Sequence, residues 1–458
     1  MKIAKSKDAN ENYLAKIVEL KSFEKHPNPE VTKLKLAHVD GFTVVVGIDD
    51  KPGLYIYFPT NSRINPNYLS FMNLFRDSSL NRDNTKKGFF NENGRVTAIK
   101  LKGVPSEGFL MPVSTLDDFL ENATNGKIDE YVPGTEFDVI VKGDKFFWFV
   151  KKYIVPTQLK SSTPKLRTRK VKSFDKLVDG QFKFHYDTAL LRKTPFVIQR
   201  DSLIQVTEKI HGTSGISAYL LCKKPINIFK RILNFISGHG FKNYEYCYDY
   251  IYSSRSVIKN SKINRNVTKG YYKCDVWAYA DKVVRPYLQK GMTLYYEIVG
   301  FLPTGGYIQK DYDYGCVPPE TAESYKSETN FKVRIYRITT TNVDGDTHEW
   351  SAREVQQWCN KVGLIPVNEL YYGYAKDMYP QMRSTVNFST NFMDRLADDE
   401  NLYMEKNSPH CNNAVPNEGV VIKIEDSIPH AFKLKCFAFL NKEQKELDDN
   451  VENIEDNA

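Results

Sequence analysis

The fold is decided by the stretch Glu208-Lys209-Ile210-His211-Gly212-Thr213-Ser214, which joins two runs of alternating apolar and polar residues. The first run covers residues 203–208, and the second continues through residues 216–220. A period of two predicts a β-strand on each side. Gly212 predicts a tight reversal and a close approach of the backbone to a ligand. We therefore expect a β-hairpin with Lys209 at its open end, where a desolvated amine could act as a nucleophile.

Composition places the chain among soluble globular proteins of two or three domains. It has 458 residues, 41% of them hydrophobic and 26% charged. No run of 18 apolar residues predicts a membrane span, and the N-terminus leads into no apolar signal-peptide core. The seven cysteines form no C-x-x-C pair, which argues against zinc and against a disulfide framework. We expect a reducing, cytoplasmic setting.

Charge separates the body of the chain from its C-terminal tail. The net charge is +8, but residues 441–458 hold two lysines and seven acids, so the body carries about +13. A basic body suits nucleic acid, although a solvated surface alone could account for it. Residues 156–181 form a basic linker, for which RNA-backbone contact and a plain solvated segment stay equally open.

Residues 1–155 read as a β-rich module. Short alternating runs recur at residues 43–46, 54–58 and 137–141, separated by turn residues such as Asp40-Gly41 and Pro52-Gly53. Strands of this length and spacing predict a small barrel. No residue of this module suggests catalysis.

Three later segments carry charged or aromatic residues on predicted strands. Residues 292–300 alternate so that Glu297 lies on the face opposite Met292, Leu294, Tyr296 and Ile298, and a strand acid needs a partner. Residues 331–338 form another strand. Near the C-terminus, Lys433 and Lys435 share a strand face, where two lysines repel unless they bind a common anion. The stretch from Ser351 to Gly363 predicts a capped helix that serves packing.

Taken in chain order, these segments resemble the motifs of ATP-dependent RNA ligases, members of the covalent nucleotidyltransferase superfamily. The nucleophile motif is in a form in which histidine replaces the commoner aspartate of K-x-D-G. The resemblance implies a role for each matched position: Lys209 as nucleophile, Glu208 and Gly212 beside the nucleotide, Arg255 on ribose or RNA phosphate, Glu297 on the ribose hydroxyls, Tyr336 stacked on adenine, Glu418 with the divalent metal, and Lys433 and Lys435 on the α-phosphate. Arg337 departs from the acid that many relatives have beside the stacking aromatic.

The resemblance also implies an architecture. The fold class is α+β, with an N-terminal OB-like β-barrel over residues 1–155 and a nucleotidyltransferase domain of antiparallel sheets with flanking helices over residues 182–440. His26-Pro27-Asn28 and the segment 103–109 are similar to OB-fold tRNA-binding domains. The acidic tail, residues 441–458, is expected to be disordered. Residues 222–250 look like an insertion without an assigned role.

The implied reaction joins an RNA 3′-hydroxyl to a 5′-phosphate through a lysyl-adenylate and an adenylylated RNA. It uses ATP as co-substrate with Mg²⁺ or Mn²⁺, acts on RNA ends of a nicked duplex, and involves no membrane; we expect a monomer. Two alternatives stay open. One is a DNA-joining or capping nucleotidyltransferase, disfavoured because no OB domain follows residue 440. The other is a non-catalytic RNA-binding protein on a ligase scaffold.

Overall fold

The computed structural model describes residues 1–155, 176–185, 188–237, 244–259, 272, 274–426 and 430–448. The chain divides into two compact units. The first takes in Met1–Val155, Ala189–Val197 and the described part of Leu440–Val451; the second takes in the described parts of Pro156–Thr188 and Ile198–Phe439. Both are built on antiparallel sheets with few helices, which confirms the α+β class in its coarse form.

The first unit consists of short strands and two helices. Its elements are β1 (Lys2–Ala4), β2 (Ala15–Leu20), β3 (Glu24–Lys25), β4 (Leu34–Val39), β5 (Phe42–Gly47), β6 (Gly53–Phe58), β7 (Ser62–Ile64), α1 (Pro66–Phe71), β8 (Ile99–Leu101), β9 (Val104–Ser106), β10 (Phe109–Pro112), α2 (Val113–Thr124), β11 (Glu136–Phe137), β12 (Val139–Lys142), β13 (Lys145–Trp148), β14 (Val150–Lys152) and β15 (Ala189–Leu190). The sheet orders include β10-β6-β2-β11, β1-β12-β13 and β3-β4-β5. The prediction of a β-rich module of short strands is confirmed.

Aromatic side chains fill the larger core of the first unit. Tyr68, Phe58 and Phe149 are fully buried, and the rings of Tyr68 and Phe149 meet edge to face at 5.1 Å. Edge-to-face pairs of this kind add to the stabilisation from burial alone. The alternating strands therefore present one apolar face to a common core, as their period requires.

The second unit contains longer strands. Its elements are β16 (Leu203–Glu208), β17 (Thr213–Pro225), α3 (Ile228–Ile236), β18 (Tyr244–Ser254), α4 (Val276–Val284), β19 (Met292–Gly300), β20 (Phe331–Thr341), β21 (Thr347–Glu349), α5 (Ala352–Val362), β22 (Glu369–Tyr374), α6 (Ala375–Met378), α7 (Phe388–Ala397), β23 (Gly419–Ile424) and β24 (His430–Lys435). They form two sheets, with the strand orders β24-β23-β16-β22 and β18-β17-β19-β20-β21.

The hairpin predicted around Lys209 is wrong. The strands on either side of it are present, but β16 pairs with β22 and β23, whereas β17 pairs with β18 and β19. Both edges of each strand are thus taken by other partners, and residues 209–212 link one sheet to the other. Alternation identifies a strand and its buried face but does not name the strand's neighbour.

The predicted faces of β19 are confirmed. Its residues Met292, Leu294, Tyr296 and Ile298 belong to one apolar core, together with Trp277 of α4. Helix α5 is also as predicted: Ser351 forms a capping box with Glu354, and Gly363 ends the helix with a φ of 78°.

Helix α8 (Phe437–Asp448) corrects the expected boundary of the acidic tail. Residues 441–448 belong to this helix, so the prediction of disorder is wrong for them. Residues 449–458 and residues 156–175 of the predicted basic linker lie outside the described residues. Among the helices that the structure describes, none is long and apolar enough to cross a membrane.

Candidate active site

The link between the two sheets is fixed by backbone hydrogen bonds on both sides of Lys209. The Lys209 amide donates to Gly419 O at 2.9 Å, and the His211 amide donates to the Tyr314 hydroxyl at 2.6 Å. The side chain of Gln309 donates to Gly212 O at 2.7 Å. The main chain on which the Lys209 side chain is mounted is therefore fixed by contacts with other segments of the chain.

Gly212 is required by packing. A Cβ atom at this position would lie 2.3 Å from Ile298 O and 2.7 Å from a methyl group of Val299. Real Cβ atoms do not approach a carbonyl oxygen this closely, so any side chain would push the link away from β19. The predicted close approach exists, but the structure shows it toward a neighbouring strand.

Glu418 is the carboxylate on which the cations of the site converge. The Nζ atom of Lys209 lies 2.7 Å from Glu418 Oε1, and the Nζ atom of Lys435 lies 3.6 Å from the same oxygen. The three side chains are 2%, 15% and 17% exposed, in the order Glu418, Lys209, Lys435. Burial would raise the pKa of Glu418, but Lys209, followed by His211 and Lys435, lowers the pKa to about 2. The carboxylate is therefore ionised at physiological pH.

Strand β24 presents its lysines as the alternation predicts. Phe432 and Leu434 are buried, while Lys433 and Lys435 both line the cavity beside Lys209. The strand pairs with β23, where Gly419 lies opposite Lys435. Two amines on one side of a cavity favour an anionic ligand between them.

On the opposite wall, Glu297 accepts a hydrogen bond from a neighbouring strand. Ser214 Oγ donates to Glu297 Oε2 at 3.1 Å, and Glu297 is 8% exposed. The Tyr336 ring meets the His185 ring edge to face at 5.5 Å. Burial, followed by the Glu297 charge, raises the pKa of Tyr336 well above its ordinary value, so the phenol stays neutral. An acid and a neutral aromatic ring are suited to a ribose and a base.

Glu208 has an additional partner that the sequence did not suggest. His410 Nε2 lies 2.8 Å from Glu208 Oε2, and this hydrogen bond is the main cause that raises the pKa of His410. The other carboxylate oxygen of Glu208 is buried without a hydrogen-bond partner. Glu208, which precedes Lys209 and lines the cavity, thus has one carboxylate oxygen paired with His410 and one without a hydrogen-bond partner.

These residues enclose one cavity of about 140 Å³. Of the predicted site residues, the lining includes Glu208, Lys209, Arg255, Glu297, Tyr336, Lys433 and Lys435. Glu418 and Gly212 are not in the lining: Glu418 contacts Lys209 from behind the wall, and Gly212 packs on Ile298. The structure therefore brings together positions that are more than 200 residues apart in the chain.

Several lining residues were missed from the sequence. Lys423 lines the cavity from β23, where its Nζ donates to Trp350 O at 2.9 Å. The sequence did contain an indication of this site, because Lys423 interrupts the apolar run of residues 420–424. His185 and Arg337 also line the cavity, and Arg337 lies over the Tyr295 ring and pairs with Glu349 at 2.7 Å. Arg337, at the position where the resemblance implied an acid, thus makes a cation–π contact and an ion pair.

Glu418 retains one oxygen for a further ligand. Its Oε2 is buried and makes no hydrogen bond, since His211 Nδ1 lies 3.6 Å away. Over the described residues, no cluster of three or more His, Cys, Asp or Glu could hold a metal ion by itself. Mg²⁺ usually keeps several waters and binds through one or two carboxylates plus substrate phosphates. The residues present fit a Mg²⁺ or Mn²⁺ ion that arrives with a nucleotide.

The arrangement as a whole suits transfer of a phosphate-linked group to an amine. The partly buried Lys209 lies beside further cations, which would hold a phosphate and stabilise the charge that develops on it. An acid and an aromatic ring lie across the cavity, where the sugar and base would extend. These features are those that a nucleotide-binding site with a lysine nucleophile would require.

Comparison with known proteins places the fold. No family model matches the chain, and no curated protein matches it. A lysine-to-alanine variant of Naegleria gruberi RNA ligase with ATP and Mn is 14% identical with a TM-score of 0.51, over 94% of this chain and 99% of that chain. The Naegleria gruberi RNA ligase with PPi has the same identity and coverage and a TM-score of 0.52. A second lysine variant with ATP and Mn is 15% identical at 0.52, over 94% and 98%.

At these identities the likeness establishes a shared fold across nearly the whole chain. The chain therefore has a fold similar to that of these RNA ligases, in both of its compact units.

Proposed function

We propose that the chain is an ATP-dependent RNA ligase that joins an RNA 3′-hydroxyl to a 5′-phosphate. The observation that carries the proposal is the position of the Lys209 amine, 2.7 Å from Glu418 and inside a cavity lined by Lys433, Lys435 and Arg255. The amine of an ordinary surface lysine would be hydrated and would not lie among these charged side chains. The similar fold of RNA ligases supports the same assignment.

In the first step, the Lys209 ammonium that pairs with Glu418 gives a proton to solvent, the neutral amine attacks the α-phosphorus of ATP, and the nitrogen of the adduct then loses a second proton to solvent. A nitrogen–phosphorus bond forms, the bond to the bridging oxygen breaks, and pyrophosphate leaves. Glu418 holds the side chain in position before attack, and its low pKa makes it an anchor for the ammonium and not a lasting proton acceptor. Lys433 and Lys435 contact the phosphate and stabilise its developing charge. A bound Mg²⁺ or Mn²⁺ would supply further positive charge to the phosphates.

Glu297 and Tyr336 orient the nucleoside during this step. The buried carboxylate of Glu297 accepts hydrogen bonds from the ribose hydroxyls, and the Tyr336 ring packs against adenine. Glu208 stands next to the nucleophile with one free oxygen. The nucleotide is then fixed on both sides of the reacting phosphorus, which lowers the entropic part of the barrier.

The second and third steps use the same cavity with RNA. AMP passes from Lys209 to the RNA 5′-phosphate, and the 3′-hydroxyl then displaces AMP to close the strand. Arg255 contacts the ribose or the RNA phosphate. The Naegleria gruberi structures contain ATP with Mn, PPi, or AMP with Mn, which are ligands expected along such a sequence.

The finer assignments belong to the same proposal. Residues 1–155 act as an OB-type RNA-binding module, and residues 182–440 carry the ATP chemistry. The substrate is a nicked duplex, and the enzyme works as a cytoplasmic monomer. The basic body of the chain supports RNA as the partner because neutralised phosphates release counterions.

Self-labelling with ATP tests the first step directly. The protein is incubated with α-labelled ATP and a divalent metal, then denatured, and the label that stays attached is counted. Lys209→Ala should lose the covalent label, whereas Lys406→Ala, which removes a lysine from a surface pair with Glu400, should keep it. Undiminished labelling of Lys209→Ala would place the nucleophile elsewhere. Absence of label in the parent protein would favour the non-catalytic alternative.

A further inference from the structure

Helix α3 and the strands that carry it form an arm with an unusual surface. Strand β17 pairs with β19 only as far as Ala218, and beyond it continues beside β18 to the register pair Pro225 and Tyr244. Helix α3 connects the two strands at their far end. At about 3.3 Å per residue, the tip lies up to about 40 Å along β17 from Thr213, next to the nucleophile. The arm tip is thus remote from the ATP cavity.

The apolar side of α3 faces solvent. Ile228 is 70% exposed, Phe229 77%, Phe235 58% and Ile236 75%. A helix on a soluble protein normally turns such residues toward the core. Most of the surface of Ile228, Phe229 and Ile236 is thus in contact with water, which is costly unless another apolar phase covers it.

Basic residues predominate in the sequence that carries this apolar surface. Residues 223–237 contain Lys223, Lys224, Lys230 and Arg231 and no Asp or Glu, and the first acid after them, Glu245, lies opposite Lys224 in the pairing of β17 with β18. A protein partner that recognises a helix by shape does not require an excess of cations around it. An RNA partner would use the cations but would gain little from exposed isoleucines, which cannot stack on bases.

Exposed tyrosines complete the pattern at the base of the helix. Tyr244 and Tyr246 are partly exposed, and Lys223 lies over the Tyr244 ring at 5.5 Å. Amphipathic rings and long basic side chains are favoured at the level of lipid headgroups, where one end is apolar and the other is wet. These features match a helix that lies in a bilayer interface.

We propose that the α3 arm docks the enzyme on an anionic membrane surface. Ile228, Phe229, Phe235 and Ile236 enter the boundary between headgroups and acyl chains, and Lys223, Lys224 and Arg231 meet the negative headgroups. This proposal departs from the expectation, drawn from the sequence, that no membrane is involved. The contact is peripheral and requires no spanning helix, and none is found among the described helices. It does not depend on the ATP chemistry, because the arm tip and the cavity share no residues.

Vesicle flotation with the full-length protein tests the proposal. At 50 mM salt, we expect the protein to float with phosphatidylcholine vesicles that contain 30% phosphatidylserine, and to stay in solution with phosphatidylcholine alone. Raising the salt to 500 mM should weaken binding, because screening shortens the reach of the cations. Equal binding to both vesicle types, no binding to either, or indifference to salt would overturn the proposal.

Two variants separate insertion from adsorption. Phe229→Ser with Ile236→Ser should lower vesicle affinity at least about tenfold through lost apolar burial. Lys223→Gln with Lys224→Gln should lower it about 10- to 30-fold through lost headgroup attraction. Phe196→Ser is the matched control, since Phe196 is 67% exposed and lies outside the arm. Equal loss in the control would refute a specific role for the arm.

A tryptophan variant tests the proposal even if the serine variants fail to fold. Phe229→Trp keeps the apolar character, and its added fluorescence should be quenched by vesicles with brominated acyl chains. Unquenched fluorescence would show that the side chain does not enter the bilayer. Native mass and RNA affinity are measured on the same proteins. If the serine variants change only the oligomeric state or only RNA binding, the surface belongs to a second copy or to RNA, and the membrane proposal falls.

Discussion

The substitution Glu418→Gln offers the sharpest test of the electrostatics of the site. It keeps the shape of the side chain and removes the charge that Lys209 and Lys435 neutralise at 2.7 Å and 3.6 Å. Glutamine resembles the protonated carboxyl, so its effect can be read from the pKa of Glu418. A pKa lowered from 4.5 to about 2 corresponds to about 3 kcal/mol of preference for the ionised form in the folded state.

We therefore expect the variant to lose about 3 kcal/mol of unfolding free energy at pH 7. Because the pKa of Glu418 is lower in the folded state than in the unfolded state, this stabilisation is complete above about pH 5. It is lost as the pH falls from 4.5 toward about 2. The difference between parent and variant should thus be constant from pH 5 to 7 and shrink below pH 4.5.

Urea unfolding, followed by tryptophan fluorescence, measures this difference at each pH. Trp277 is a suitable reporter because it is buried in the same unit and donates to Ser214 O at 2.9 Å. The matched control is Glu328→Gln, which removes an exposed partner of Arg334 and should cost less than about 1 kcal/mol. A loss below about 1 kcal/mol for Glu418→Gln that does not change with pH would refute the electrostatic account.

Three further expectations concern the cavity and its substrate. Gly212→Ala should remove self-labelling, because its Cβ would meet Ile298 O at 2.3 Å, whereas Gly306→Ala has only a contact at 3.9 Å and should be silent; equal behaviour of the two would contradict the packing argument. Lys435→Ala should slow single-turnover labelling at least ~100-fold, with poor rescue by arginine, and a wild-type rate would remove Lys435 from the phosphate site. Among four nicked duplexes that differ in ribose or deoxyribose on each side, only those with 3′-terminal ribose should be joined rapidly, since a 2′-hydroxyl distinguishes RNA from DNA. Efficient joining of an all-DNA nick would favour the DNA-ligase alternative.

Strand faces and the order of the polar residues could be read from the sequence because both are local properties. The alternation in β19 placed Glu297 opposite the core face, and the alternation in β24 placed Lys433 and Lys435 together. A period of two is set by the geometry of a single strand, so it needs no knowledge of the rest of the chain.

Pairing and partners could not be read in the same way. Two good strands flanking a glycine suggested a hairpin, yet each had both edges taken by distant strands. The contact between Glu208 and His410 joins residues about 200 positions apart, and nothing near either residue indicates it. The tail was misjudged for a related reason: its acids suggested disorder, while Gln444 and Leu447 are buried in the folded chain.

The joint between the two sheets also limits where the nucleophile motif can be used. Lys209 is held by Gly419, His211 by Tyr314 and Gly212 by Gln309, and these partners come from two distant segments, the start of β23 and residues 309–314. The K-x-H-G tetrapeptide is therefore not a portable unit. Grafted onto an ordinary β-hairpin, the tetrapeptide would keep its sequence but not its conformation. An engineer who wants this chemistry in another scaffold must carry over both sheets, whereas the distant arm could be shortened or replaced without touching the joint.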